Sequence, residues 1–281
     1  MRTNYNHLLE QHKTLGPQAA RVLASLHESR RPIFTVADVH DITGLGAKST
    51  RSFIAKLVER GIATRLKPGL FILVPFELGR AREYLGNPYL VARALADDSR
   101  YYLSHASAME AHGMVTQPQL VVYVTSPAPL RGRTILGTEF RFVRCKPEHL
   151  FGVTEHWVDK TEKICISDLE RTVIDGLKQP EYCGGIAEVA KGFWMRRGEM
   201  SVERLVDYAL RLDVGAVIRR LGFLLELYES DDVAAIKRLR ARLTTTYQLF
   251  DPTLPAEGRR IARWRLQLNV TAEELDAIRS T

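Results

Sequence analysis

The chain has 281 residues, 45% hydrophobic and 26% charged, an ordinary globular balance that excludes disorder and collagen-like repetition. No apolar run approaches the roughly 18 residues needed to cross a bilayer, and the polar start, Met1 to His7, leads into no apolar signal core. Cys145, Cys165 and Cys183 are widely spaced and form no CxxC, which argues against a disulfide framework or zinc knuckle and for a reducing cytoplasm.

The net charge of +7 is unevenly spread: residues 1–80 hold 12 Lys/Arg against 6 Asp/Glu, a balance of +6. Positive charge concentrated on a small domain is the electrostatic footprint of a polyanion binder, although a merely solvated basic surface has the same composition. At roughly 100–200 residues per domain, the length predicts two domains or one large one. The boundary is expected near 80, giving a basic domain 1–80 and a larger domain 81–281.

In chain order, Pro17 opens a helix through Leu26 with apolar residues at helical spacing. Thr35 is the expected N-cap of a second, short helix through Ile42, with Asp38 completing a capping box. Gly44 and Gly46 permit a tight turn. A third helix, Lys48 to Arg60, stops at Gly61. Its Thr50, Phe53, Ile54, Leu57 and Val58 share one face; Lys48, Arg51, Ser52, Ala55, Lys56 and Glu59 spread over the other. Strands at Ile62–Leu66 and Leu70–Val74 flank the turn Lys67-Pro68-Gly69. This order of elements is that of a winged helix-turn-helix. The expected DNA-binding residues are Lys48, Ser49, Arg51 and Ser52 at the start of the third helix, Lys56 further along it, and Arg65 and Lys67 on the wing. Arg suits guanine edges, and Lys and Ser suit phosphate. A winged module that binds protein is the alternative.

A connector with a short helix, Tyr89–Ala96 ending at Asp97-Asp98, leads to a mixed domain whose C-terminal half is helical. Overall the fold class is α+β. Ser104 is expected to cap a helix His105–His112. Strands are expected at Leu120–Thr125, Glu139–Arg144, Trp157-Val158, Lys163–Ile166 and Arg263–Leu268. Ser167-Asp168-Leu169-Glu170 reads as a capping box opening a helix through Leu177, with Arg171 and Asp175 forming a helix-surface ion pair. Helical stretches follow at about 184–197, 201–212, 213–229 and 231–243, and Thr271 caps a final helix. The run Lys237–Arg242, on an amphipathic helix, reads as a solvated basic face, with contact to nucleic acid or an acidic partner as the alternative. There is no P-loop, GxGxxG, HExxH or GxSxG. His105 and His112 lie seven apart on one helix face without the companions of a metal site. No catalytic residue, cofactor or metal is expected, and the protein reads as a non-enzyme.

Four stretches together resemble the abortive-infection antitoxins of the AbiEi type. They are the winged segment with Arg60-Gly61-Ile62 and Pro68-Gly69-Leu70-Phe71; Leu103–Gly113; Ile166–Asp175; and Leu249-Phe250-Asp251-Pro252 with Arg263-Trp264 and Asn269-Val270. The resemblance implies a regulator with an N-terminal winged helix and a C-terminal antitoxin domain. It implies repression through inverted repeats at the protein's own promoter and counteraction of a nucleotidyltransferase-like toxin in phage defence; because one winged helix reads only a short site, self-association on that DNA is expected as well. Two other classes fit the residues: a ligand-sensing repressor whose second domain binds a small molecule, and a DNA-processing enzyme targeted by a winged helix.

Overall fold

The computed structural model describes residues 15–97, 100–115, 117–229 and 232–279; the polar start at Met1–His7, Asp98 and the first residue of the stretch expected at 231–243 lie outside them. The fold is mixed α and β, with eleven helices and three sheets among the described residues. The chain divides into two compact units, 1–95 with 135–137, and 96–134 with 138–281.

In the first unit, α1 (Pro17–Glu28) is followed by β1 (Ile33–Thr35), α2 (Val36–Thr43), α3 (Ala47–Glu59), β2 (Ala63–Lys67) and β3 (Leu70–Leu73). Pro17 sits in the first turn of α1, whose Ala19, Val22, Leu23 and Leu26 are buried. The Thr35–Asp38 capping box forms in full. Gly44 ends α2 at φ +68°, a left-handed position that an L side chain seldom adopts. β1 has no counterpart among the sequence-derived elements, because three residues between Pro32 and a helix cap are too few for periodicity to register. It pairs antiparallel with β3, placing Phe34 opposite Phe71, and makes a three-stranded sheet in the order β1-β3-β2. Their rings stack at 5.6 Å, and Val22, Val39, Ile54 and Leu57 close the core around them. The connector carries α4 (Pro88–Ala96).

The second unit is built on β4 (Tyr102–Leu103), α5 (His105–Ala111), β5 (Val121–Ser126), β6 (Arg133–Ile135), β7 (Thr138–Arg144), β8 (Val153–Trp157) and β9 (Lys163–Ser167). The sheet order is β6-β7-β5-β4-β9-β8, with β5–β7 and β4–β9 parallel. Then come α6 (Leu169–Lys178), α7 (Ile186–Arg196), α8 (Val202–Leu212), α9 (Gly215–Leu227) and α10 (Val233–Arg240). A small sheet of β10 (Gln248–Leu249), β11 (Arg259–Ile261) and β12 (Leu266–Leu268) precedes α11 (Ala272–Arg279). Thr271 caps α11 in a capping box with Glu274. The strand expected over Arg263–Leu268 is only its last three residues. Trp264 instead packs against α9, where a Cβ at Gly222 would sit 2.1 Å from its ring.

Three local expectations are corrected. Ser104 makes no capping bond; its hydroxyl meets the His105 Nδ1 at 2.9 Å and accepts from Thr125 Oγ1 at 2.8 Å. Ser167 is the last residue of β9, and its Oγ meets Thr172 Oγ1; the N-cap of α6 is Asp168, which accepts from the Arg171 N–H at 2.7 Å. Glu170 turns away to accept from the Ser201 N–H at 2.8 Å. Third, Arg171 and Asp175 are not a surface pair. They are 1% and 4% exposed and meet at 2.9 Å, with Tyr102 accepting from Arg171 Nη2 at 2.9 Å and donating to Asp175 Oδ2 at 3.0 Å. Burial, then the neighbouring Asp175, pushes the Tyr102 hydroxyl well above its ordinary pKa.

Removing one partner strands a buried charge, so Asp175→Ala is expected to cost about 3–5 kcal/mol in urea unfolding. Arg238→Ala, which breaks a half-exposed pair with Asp207, should cost under about 1 kcal/mol. His105 supplies a second test. Burial lowers its pKa from 6.5 to about 4, with smaller cationic contributions from Lys178 and Arg171 opposed by Asp175. The folded state therefore refuses a proton that the unfolded chain takes up near pH 6.5. The stability contribution is present above that pH and is lost as pH falls towards 4, by on the order of 3 kcal/mol. The difference in unfolding free energy between the parent and His105→Gln should shrink over that window; a constant difference would contradict the assignment.

Candidate nucleic-acid interface

The turn between α2 and α3 aims the exposed face of α3. Thr50 is buried, and its hydroxyl donates to the carbonyls of Leu45 at 3.1 Å and Gly46 at 3.2 Å. The His40 Nδ1 meets the same Leu45 carbonyl at 2.6 Å. Thr43 donates to Val39 O, closing the end of α2. The connection is thus held by side chains whose partners lie within five residues.

With Thr50, Ile54 and Leu57 buried, the other face of α3 is left to solvent: Lys48, Ser49, Arg51, Ser52 and Lys56 are all exposed. Gly46 makes no side-chain cap, and the first turn carries no acid. A cation at Lys48 therefore faces the positive end of the helix dipole, a local cost that a bound anion would reverse. Violations of local helix-end chemistry of this kind concentrate at functional or strained sites.

Arg51 and Arg65 converge. They line one cleft of about 610 Å³ between α3 and the β2–β3 hairpin, with Val36, Ala55, Val58, Pro68 and Phe71 forming its apolar walls. Arg65 is exposed on β2, opposite Phe71, and the register shifts between Arg65 and Lys67. That irregularity, together with the turn at Gly69 (φ +84°), sets the hairpin's direction. The Gly69 carbonyl accepts from the Val36 N–H at 3.3 Å, tying the tip to the start of α2.

Lys67 is placed differently from the rest. Its Nζ donates to the Leu95 carbonyl at 3.2 Å, and the side chain is half-buried. The geometry thus brings Arg51 and Arg65 to one cleft, leaves Lys48, Ser49, Ser52 and Lys56 on the open face of α3, and directs Lys67 to α4. Nothing local in the sequence signals that last contact, because its partner is 28 residues away. Arg82, outside the expected DNA-binding residues, donates to the Glu59 carbonyl at the end of α3. Its chain packs against Gly61, where a Cβ would lie 2.9 Å from Arg82 at φ +67°.

The histidines singled out in the sequence are occupied internally. His105 is buried beside Ser104, and the His112 Nε2 meets the Ser167 carbonyl at 2.6 Å. The described residues contain no group of three side chains able to hold a metal ion. Among them, no helix is long and apolar enough to cross a membrane.

The stretch from α1 to β3 also has relatives. Residues 21–74 match the family described as transcriptional regulator, AbiEi antitoxin. That family is regulatory rather than catalytic, and its match covers the capping box, the α2–α3 turn, α3 and the hairpin. No curated protein matches the chain. Among solved structures, the RV2827C protein of Mycobacterium tuberculosis is similar with a TM-score of 0.70 at 18% identity, over 95% of this chain and 96% of that one. At that identity the likeness is one of fold.

The capping box should carry the geometry of α2 and so of the turn. Thr35→Ala removes the hydroxyl that accepts from the Asp38 N–H and donates to its carboxylate. A loss of about 1 kcal/mol is expected, read as faster amide hydrogen exchange in α2 with α6 unchanged.

Proposed function

We propose that the first unit is a winged helix-turn-helix that binds promoter DNA and that the protein is an autoregulatory repressor and antitoxin. In this reading α3 is the recognition helix and the β2–β3 hairpin is the wing. The observation that carries it is the exposed cation and hydroxyl face of α3, joined at one cleft by Arg51 and Arg65, within the segment that matches AbiEi regulators. Arg51 reads base edges in the major groove, and Lys48, Ser49, Ser52 and Lys56 engage phosphates. Arg65 follows the wing to an adjoining phosphate or the minor groove. Lys67 is the weakest of the seven, since reaching DNA requires it to leave the Leu95 carbonyl.

A single winged helix reads a short site, so selectivity comes from two copies on an inverted repeat. The DNA-binding domain is proposed as residues 1–80 and the antitoxin domain as 81–281. The latter is nearly balanced in charge, with 28 Lys/Arg against 27 Asp/Glu. It counteracts a nucleotidyltransferase-like toxin in the cytoplasm, with no catalytic step of its own.

Electrophoretic mobility shift on the protein's own promoter tests the reading. Retardation should weaken steeply with salt as counterions are released. Arg51→Ala should lose about 1–3 kcal/mol on the specific site and relax base preference, while Lys56→Ala weakens all duplexes alike and lowers the salt slope by about 1. Arg65→Ala should weaken binding more than Lys67→Ala. Absence of any shift at low salt, or a larger effect at Lys67, contradicts the assignment. Co-expression of full-length Arg51→Ala with the adjacent toxin separates the activities: growth rescue should persist when repression is lost.

A further inference from the structure

The near-neutral charge of residues 81–281 conceals a second concentration. Residues 233–265 hold eight Lys/Arg against two Asp/Glu. Part of that excess is neutralised on the surface: Arg238 pairs with Asp207, Arg242 with Asp213 and Arg263 with Glu226. Of the five that remain, Lys237, Arg240 and Arg265 share one cleft, while Arg259 and Arg260 lie on β11 outside its lining. α10, the loop after it and the β11–β12 turn border an open cleft of about 690 Å³, lined by Lys237, Arg240, Arg265 and the already paired Arg263, with no acidic residue among its lining. Lys237 and Arg240 are exposed and have no carboxylate partner among the described residues. Arg265 stands at φ +51° and donates to the Tyr247 hydroxyl at 3.4 Å.

The wall of this cleft is fixed by a buried cation. Arg219 on α9 is 2% exposed and has no carboxylate partner among the described residues. Its Nη2 donates to the Thr244 hydroxyl at 2.7 Å and to the Thr246 carbonyl at 3.1 Å, and its Nη1 to the Gly215 carbonyl at 2.8 Å. Gly215 is what makes room for it, since a Cβ there would sit 2.7 Å from Nη1. A buried guanidinium satisfied only by neutral oxygens is costly, and burial lowers the pKa of Arg219 accordingly. Its guanidinium contacts Thr244, which with Thr245 supplies the hydroxyls of the cleft. Ile236, Leu243 and Ala262 add apolar surface to the same lining.

We propose that this cleft binds a phosphorylated small molecule of the nucleotide class. The phosphate chain lies on Lys237, Arg240 and Arg265 beside the threonine hydroxyls, and the less polar ring lies against Ile236 and Leu243. Arginine and lysine without a competing acid suit a phosphate chain. The volume falls in the range of small-ligand sites, and a lining that offers Ile236 and Leu243 as well as the cations suits an amphiphilic ligand better than a uniform polyanion. This site is independent of the DNA-binding reading, because all its residues belong to the second unit.

Isothermal titration of the full chain with ATP, GTP and inorganic tripolyphosphate tests it. A nucleoside triphosphate should bind saturably, and at least about tenfold more tightly than tripolyphosphate. Lys237→Ala with Arg240→Ala should weaken it by more than about tenfold without lowering the melting temperature, since both side chains are exposed. Arg238→Ala, one residue from Lys237 but outside the cleft, should leave it unchanged. No saturable binding at millimolar nucleotide, equal loss in Arg238→Ala, or equal affinity for tripolyphosphate would each overturn the proposal. So would displacement of bound ATP by a non-promoter duplex at equal phosphate concentration, which would assign the cleft to a nucleic-acid backbone.

Discussion

A guanidinium with almost no access to water organises the second unit. Arg171 lies between the sheet and the helices, and its charge is met by Asp175 one turn along α6 and by Tyr102 from β4. Burial alone would lower its pKa, but Asp175 and Tyr102 outweigh that and raise it, so it stays charged. The price of keeping it there is set by neighbours that must not move. Its flat face stacks 4.2 Å over the Phe151 ring. Gly152, at φ +65°, has no room for a side chain, because a Cβ would stand 2.7 Å from Arg171 Cβ and 2.9 Å from the Tyr208 ring. Tyr208 in turn donates to Asp168, the N-cap of α6. Cap, helix, strand and loop are therefore coupled through one side chain, and residues 170–177 are buried all round α6.

The first unit solves a different problem. Its core is small and apolar, built on the Phe34–Phe71 stack, and its polar chemistry is turned outward. Local devices hold it: the Thr35–Asp38 box, the Thr50 hydroxyl in the turn and left-handed glycines at 44, 61 and 69. Each acts over a few residues, while α3 buries Thr50, Ile54 and Leu57 and leaves its other face to solvent. α3 keeps Lys48 at its positive end without an acid to offset it. The second unit shows the converse economy, with Arg219 and Arg220 buried on neutral oxygens to brace loops instead of facing solvent.

These contrasts explain how much of the candidate site could be read from residues alone. The apolar face of α3 follows from helical spacing, and its exposed face is whatever remains, so Lys48, Ser49, Arg51, Ser52 and Lys56 emerge where expected. The hairpin follows from Pro68-Gly69. Which cations share a cleft did not follow: Arg65 and Lys67 are two apart on one strand, yet one lines the cleft with Arg51 and the other is held by a carbonyl of α4. The serine and acid of Ser167–Glu170 have the spacing of a capping box, but the strand ends one residue later than that spacing implies, which hands the cap to Asp168 and frees Glu170 to reach Ser201. Likewise Arg171 and Asp175 satisfy the four-residue rule for a surface pair, which holds equally for a buried one.

By itself the sequence determined what depends on near neighbours. It set the α+β class, the helix starts at Pro17 and Thr35, the stop at Gly44, the two faces of α3 and the asymmetry of charge. Helix periodicity, caps and turns are short-range, so their signals survive in a linear string. Only the tertiary structure decided what depends on distant partners: the third strand of the small sheet, the burial of Arg171 with Tyr102 some seventy residues away, the engagement of Lys67, and the gathering of Lys237, Arg240 and Arg265 around one cleft. The physical reason is that a charge's environment is a property of packing. The same guanidinium is a solvated surface group or the centre of a core according to which segments fold over it.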